Sequence, residues 1–240
     1  GRADELIDLL AADNVAPSVT MLALPGLVDA PADAPRTPYS PYGFEAPAGD
    51  PASLVQSSNG RLRVQDEGSQ LAALALVHAS PVAAGERWLD LCAGPGGKTA
   101  LLAAEALAAG ATIEANEVVP ARAGLVRRAL EGIPLRIEVS VEDGRTRASS
   151  AEGTYDRVLV DAPCTGLGAL RRRPEARWRK HPSDLPALTE LQGELLAAGI
   201  LATKPGGVIA YVTCSPHLAE TSGVVAEALR GGRPERLQLS

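Results

Sequence analysis

The sequence predicts an α/β fold: a mainly parallel sheet with helices on both faces, preceded by a smaller piece. Three observations carry that prediction. From about residue 60 onward, strand-like and helix-like apolar runs alternate at the pitch of a parallel sheet with crossover helices. A glycine-rich turn, Asp90-Leu91-Cys92-Ala93-Gly94-Pro95-Gly96-Gly97-Lys98-Thr99, joins a strand-like run (Arg87-Trp88-Leu89) to a helix-like one (Ala100 to Ala104). The residues best suited to chemistry then fall at the carboxyl ends of the expected strands, where ligands sit in such sheets.

Taken in order, residues 3–14 read as a short amphipathic helix and 18–24 as a strand ending at Pro25-Gly26. Residues 28–51 are dominated by proline, glycine and alanine, with Tyr39-Ser40-Pro41-Tyr42-Gly43 as turn material. That stretch reads as a connection or a fragment of a preceding domain, too thin to bury a core of its own. An apolar helix follows at 70–79. Strand 86–91, helix 97–109, strand 112–117, helix 119–131, and strands 135–139 and 155–161 come next. A long helix at 184–203, Gly206-Gly207, strand 207–213 and helix 217–230 complete the pattern, with no internal repeat.

The chain has 240 residues, 45% of them hydrophobic, enough for one full α/β domain plus a smaller piece. No apolar run is long enough to span a membrane and no signal-like segment opens the sequence. Three cysteines, Cys92, Cys164 and Cys214, are odd in number and lack metal-ligand spacing. They predict a reduced, cytoplasmic protein without a metal site, and a monomer is expected. The net charge of −6 argues against holding nucleic acid by bulk electrostatics, and aromatics are too few to reveal a stacking platform. Positive charge is nevertheless concentrated in Arg171, Arg172, Arg173, Arg177, Arg179 and Lys180, against the single acid Glu175. This segment is either a solvated charge run or a phosphate-contacting patch.

The glycine-rich turn is built to receive a polar or anionic ligand, because glycine permits close backbone approach and a helix N-terminus presents free N–H groups. A dinucleotide fingerprint starting at Gly94 would need glycine at position 99, where threonine stands. A phosphate-binding loop ending in Gly97-Lys98-Thr99 would need glycine at position 92, where cysteine stands. The cofactor loop of an S-adenosylmethionine-dependent methyltransferase remains, and the turn alone leaves the choice open.

Glu117, at the end of the second strand of this unit, can accept ribose hydroxyls; taken alone, a surface acid is the favoured reading. Asp143, after the third strand, can accept from an adenine amino group, or is an ordinary turn aspartate. Asp161 closes the strand Val158-Leu159-Val160 and would also suit a magnesium-binding acid of a P-loop NTPase. That rival leaves the thiols unexplained. Cys164 and Cys214 each follow a strand of the same sheet and are expected to share one crevice. A thiol beside a methyl donor suits methylation of a pyrimidine carbon: thiolate addition to the neighbouring ring carbon makes the target carbon nucleophilic, and an acid supports the charge on the ring nitrogen. His78, His181 and His217 have no partner spacing and read as structural or surface residues.

These residues resemble the RNA (cytosine-5) methyltransferases of the Sun/Nop2 type, most closely the bacterial 16S rRNA enzymes. The resemblance runs from Gln65-Asp66-Glu67-Gly68-Ser69-Gln70 to Glu220. It includes Asp90 to Thr99, Asp161-Ala162-Pro163-Cys164-Thr165-Gly166, Arg171-Arg172-Arg173-Pro174, Lys204-Pro205-Gly206-Gly207 and Thr213-Cys214-Ser215. It implies a Rossmann-like methyltransferase fold with a seven-stranded sheet, a catalytic domain over 59–240, and a remnant of an RNA-binding subdomain over 1–58. It further implies S-adenosylmethionine as cofactor, held by Cys92, Ala93, Gly94, Pro95, Gly96, Gly97, Lys98, Glu117, Arg122, Asp143 and Asp161. Cys214 would be the nucleophile, Cys164 would assist product release, and Asp161 would be the acid near the cytosine ring. The basic segment would contact RNA, with 16S rRNA as substrate. A tRNA cytosine, or a silent ribosome-assembly factor, are the alternatives. Cys92 is carried over as part of the loop, with packing as its expected role. Glu117 stands where the family more often has aspartate. Relative to the family, most of the N-terminal portion and the final hairpin are missing, so the chain is expected either to be a fragment or to lack disordered segments.

Overall fold

The computed structural model describes residues 3–15, 18–47, 49–232 and 234–237. A 3-10 turn, Ala3–Glu5, leads into α1 (Leu6–Asp13), on which Leu6, Ile7 and Leu10 are exposed. Strands β1 (Thr20–Ala23), β2 (Gly43–Glu45) and β3 (Leu62–Val64) form an antiparallel sheet in the order β2-β1-β3. Between β2 and β3 lies α2 (Pro51–Ser57), started by Asp50 accepting from the Ala52 N–H and by Pro51 at the first helical position.

The reading of this region as too thin for a core is corrected by the structure. Met21, Ala23, Ala30, Ala34, Phe44 and Leu62 form a small buried cluster. The strand period of two explains how so short a sheet achieves this. Met21 and Ala23 face the small core, while Leu22, together with Leu24 just beyond the strand, packs into the main one. Arg61 and Arg63 add hydrogen bonds to the Gly132 and Ala129 carbonyls at 3.0 and 2.8 Å.

The main domain runs α3 (Glu67–His78), β4 (Arg87–Asp90), α4 (Gly97–Ala109), β5 (Thr112–Asn116), α5 (Pro120–Leu130), β6 (Glu138–Ser140), α6 (Gly144–Ser149) and β7 (Tyr155–Asp161). It continues through α7 (Ala176–Arg179), α8 (Leu185–Ala202), β8 (Thr203–Val212) and α9 (Ser222–Arg230). The sheet is parallel throughout, in the order β6-β5-β4-β7-β8, so the direction of winding reverses between β4 and β7. Alternation along the strands splits the core into two layers. Trp88 and Leu159 face α3 and the Ala/Leu-rich α4, whereas Leu89, Val158 and Val160 face α8.

The α/β prediction holds, but the sheet has five strands among the described residues rather than seven. The described residues after α9 form no strand, so nothing there extends the sheet beyond β8. β8 begins at Thr203 instead of 207. Tyr155 pairs with Thr203 and Arg157 with Val208, so the register shift absorbs Pro205 and the two glycines inside the strand. The short α6 escaped the sequence pattern; Asp143 caps it by accepting from the Arg145 N–H at 2.9 Å. Among the described residues, no helix is long and apolar enough to cross a membrane, and no group of three or more His, Cys, Asp or Glu side chains is placed to hold a metal ion.

Candidate active site

The β4–α4 turn lies at the winding reversal. Asp90 ends β4 fully buried, with its Oδ2 accepting from the Thr99 hydroxyl at 2.7 Å while its Oδ1 has no hydrogen-bond partner. Burial pushes its carboxyl up to about 7. A Cβ at Gly94 would run into the Glu117 carboxylate and the Arg122 guanidinium, so a side chain there would displace both from the turn. Gly96 precedes the first turn of α4 at φ +104°, a conformation that favours glycine.

Glu117 follows β5 and is buried. Its Oε2 accepts from the Gly94 N–H at 3.1 Å and its Oε1 from the Val119 N–H at 2.9 Å. Arg122 lies 3.5 Å from that carboxylate and donates to the Gly94 carbonyl at 2.7 Å. On the other side of the turn, Lys98 Nζ donates to Asp161 Oδ2 at 2.7 Å, bridging α4 to the end of β7. Asp143, after β6, is occupied by Arg145, whose hydrogen bonds hold its carboxyl down at about 2. The predicted loop and acid residues thus surround one end of the sheet.

The two thiols meet there as well. The main chain stays in register past the strand ends, where the Ala162 N–H donates to the Val212 carbonyl at 2.9 Å. Cys164 and Cys214, 50 residues apart, bring their sulfurs to 3.4 Å. Cys214 is exposed and Cys164 half-buried. The hydrogen bond from Cys164 lowers the Cys214 thiol to about 6, against burial and the Asp161 charge and with help from Lys98. The same bond, with burial, pushes the Cys164 thiol up. Cys92 packs against the core layer under α8, and burial pushes its thiol up too.

The basic segment follows directly. Arg171, Arg173 and Arg179 are exposed, and Trp178 stands among them with 83% of its surface exposed. Arg172 is different: it forms an ion pair with Asp66 just before α3. Asp66 was visible only as part of a motif, because its partner lies more than a hundred residues away. Sequence reasoning also missed Glu220, which joins Thr165, Ser215 and Gln192 in a buried network beneath the cysteines. The one available signal was that Thr165 and Ser215 each directly follow a cysteine. His217 Nδ1 accepts from the Ala219 N–H, His181 caps a turn with Asp184, and His78 is exposed at the end of α3.

A parallel sheet with a glycine-rich turn and flanking acids at its winding reversal is Rossmann-like, and its likeness to a solved methyltransferase homolog makes it a methyltransferase fold. The structure matches a methyltransferase homolog protein from Pyrococcus horikoshii with a TM-score of 0.78 and 25% identity, over 95% of this chain and 75% of that one. It also shares its fold with NSun6 from Pyrococcus horikoshii solved with SFG, with a TM-score of 0.66 and 24% identity over 82% and 49% of the two chains. The chain belongs to the 16S rRNA methyltransferase RsmB/F family, whose pattern matches residues 79–239. A Mycobacterium tuberculosis protein named as a methyltransferase is 53% identical over 231 residues, 94% of this chain and 50% of that protein. The ribosomal RNA small subunit methyltransferase B of Pseudomonas putida is 38% identical over 201 residues, 83% of this chain and 45% of that protein. The chain spans about half the length of the curated relatives it matches.

Proposed function

We propose that this chain is the catalytic part of an RNA (cytosine-5) methyltransferase that acts on 16S rRNA with S-adenosylmethionine as donor. The observation that carries the reading is the pair of sulfurs 3.4 Å apart, beside the Lys98–Asp161 pair and within the same strand-end crevice as the glycine-rich turn. Family membership supplies the RNA class, and relatives named as small-subunit methyltransferases favour 16S rRNA.

The donor set suits the cofactor. Residues 92–98 offer close backbone approach, and Glu117 keeps further lone pairs for ribose hydroxyls beyond its two backbone hydrogen bonds. Arg122 steadies both the turn and Glu117, and Asp143 and Asp161 would hold the adenine and the methionine part. When bound, S-adenosylmethionine supplies an electrophilic sulfonium methyl group.

Cys214, the more acidic and more exposed thiol, adds as thiolate to carbon 6 of the cytosine, which makes carbon 5 nucleophilic. Asp161 is the acid that supports the charge developing on the ring nitrogen, and Lys98 holds it in place through their hydrogen bond. Once carbon 5 carries the methyl group, its proton passes to water in the open crevice, the electron pair re-forms the 5,6 double bond, and the C6–S bond breaks to return the Cys214 thiolate. Cys164 assists that release. Arg171, Arg173, Arg177, Arg179 and Lys180 contact phosphates, and Arg172 holds the segment to the domain through Asp66.

Tritium transfer from labelled cofactor to unmodified 16S rRNA, followed by denaturing electrophoresis, tests this. Cys214→Ala is expected to abolish both transfer and any protein–RNA adduct. Cys164→Ala is expected to methylate once and stay attached to its RNA. A stable adduct with Cys214→Ala and none with Cys164→Ala would reverse the two roles. Normal transfer by both variants would refute the thiol mechanism.

A further inference from the structure

Glu220 closes the 3-10 turn Leu218–Glu220 and plays no part in the chemistry above. It is 0% exposed, yet its carboxylate collects four hydrogen bonds. The Thr165 N–H donates to Oε1 at 2.8 Å and the Thr165 hydroxyl to Oε2 at 2.5 Å. The Ser215 hydroxyl donates to Oε2 at 2.5 Å, and Gln192 Nε2, from α8, to Oε1 at 3.0 Å. The same Gln192 amide donates to the Pro163 carbonyl at 2.9 Å, and the Tyr211 hydroxyl fixes the Glu220 carbonyl at 2.8 Å.

Burial alone would raise the Glu220 pKa, but these donors more than cancel it and hold the carboxyl below its ordinary value. An ionised carboxylate only accepts, so all four donors are satisfied at once. Thr165 follows Cys164 and Ser215 follows Cys214. A single buried anion therefore grips both thiol-bearing loops one residue from their sulfurs. A hydrogen bond of 2.9 Å from the Gly168 N–H to the Cys214 carbonyl ties the loops together a second time.

We propose that Glu220 is a positioning residue, anchoring Thr165 and Ser215 so that the Cys164 and Cys214 sulfurs stay close enough to hand over between attack and release. Its catalytic consequence rests on the methyl-transfer reading, whereas the sulfur spacing can be measured without it.

Phenylarsine oxide is the probe, because its arsenic bridges two neighbouring thiols with loss of water and mass spectrometry locates the bridge. The full chain is expected to bridge Cys164 to Cys214 rapidly. Glu220→Gln, which turns an NH2 group toward donors, is expected to bridge at least tenfold more slowly. It should still bind S-adenosylmethionine as before, and kcat should fall while the KM for RNA holds. Should Glu220→Gln fail to fold, Ser215→Ala removes a single donor and is expected to slow bridging by about threefold. Wild-type bridging rates in a folded Glu220→Gln, or in Ser215→Ala where that is the variant used, would overturn the proposal. Slow bridging in a chain whose parent transfers no methyl group would retain the positioning role and defeat the methyl-transfer reading instead.

Discussion

Single residues in this protein answer to more than one demand. Asp90 illustrates the cost of a buried carboxyl. Its pKa rises from an ordinary 3.8 to about 7, chiefly by burial, with Asp161 adding to the rise and Thr99 and Lys98 opposing it. Between those values the folded chain keeps a proton that the unfolded chain has lost. Stability from this group therefore falls as pH rises from about 4 to about 7 and is level above that. Asp90→Asn keeps an acceptor for Thr99 and should remove this slope, a difference on the order of a few kcal/mol. Denaturant unfolding across that range is the check, and parallel curves for parent and variant would contradict it. Glu117→Ala is expected to weaken S-adenosylmethionine binding by about 10- to 150-fold, because the ribose hydroxyls lose their acceptor. The variant should also lose stability, by about 1–3 kcal/mol, since the Gly94 and Val119 N–H groups lose theirs. Calorimetry at a temperature where the variant is folded separates the two effects. A lower stability with an unchanged Kd would leave Glu117 as an anchor of the turn only.

At the scale of elements, a buried arginine joins a helix end to the sheet. Arg157, in the middle of β7, is 1% exposed and pairs with Glu86 at 2.8 Å. Its guanidinium also donates to the Leu76, Val77, Ser80 and Pro81 carbonyls at the end of α3 and just beyond it. Those are the acceptors that a helix C-terminus leaves unpaired, and a cation is favoured there. Arg157→Ala should cost about 3–5 kcal/mol, because Glu86 and the carbonyls would stay buried without a partner. Chemical denaturation checks this, and a loss below about 1 kcal/mol would show that water replaces the guanidinium. In the sequence Arg157 reads as one polar residue at the start of an apolar strand. Strand β7 and helix α4 were legible to the residue because their apolar runs are long and cleanly bounded. The three-residue strands β2 and β3 were not. Each is too short to show a period, and they exist only because β1 lies between them.

Over the whole molecule, charge is distributed against the average. The chain carries −6, yet six of its 23 Lys and Arg residues fall within 171–180, shortly after the Cys164 turn. Arg171→Ala with Arg173→Ala should weaken RNA binding and flatten its salt dependence, because fewer counterions are released, while S-adenosylmethionine binding survives. Of the two tryptophans, Trp88 is buried and Trp178 exposed within this segment, so intrinsic fluorescence would follow RNA binding if it occurs there. Unchanged affinity and salt slope would make the segment a solvated charge run.

Local pattern along the chain is enough for the alternation of helices and strands, the glycine-rich turn, and the placement of Asp90, Glu117, Asp161, Cys164 and Cys214 at or just beyond strand ends. These follow from short-range periodicity and from the few residues that tolerate tight turns. The strand order, the five-stranded count among the described residues and the small core around Phe44 emerge only in the folded chain. Folding also brings Cys164 and Cys214 to 3.4 Å and sets Glu220 beneath both. Those features depend on segments that meet across tens of residues. Their energies come from burial and from hydrogen bonds made only once the chain has closed, so no local pattern encodes them.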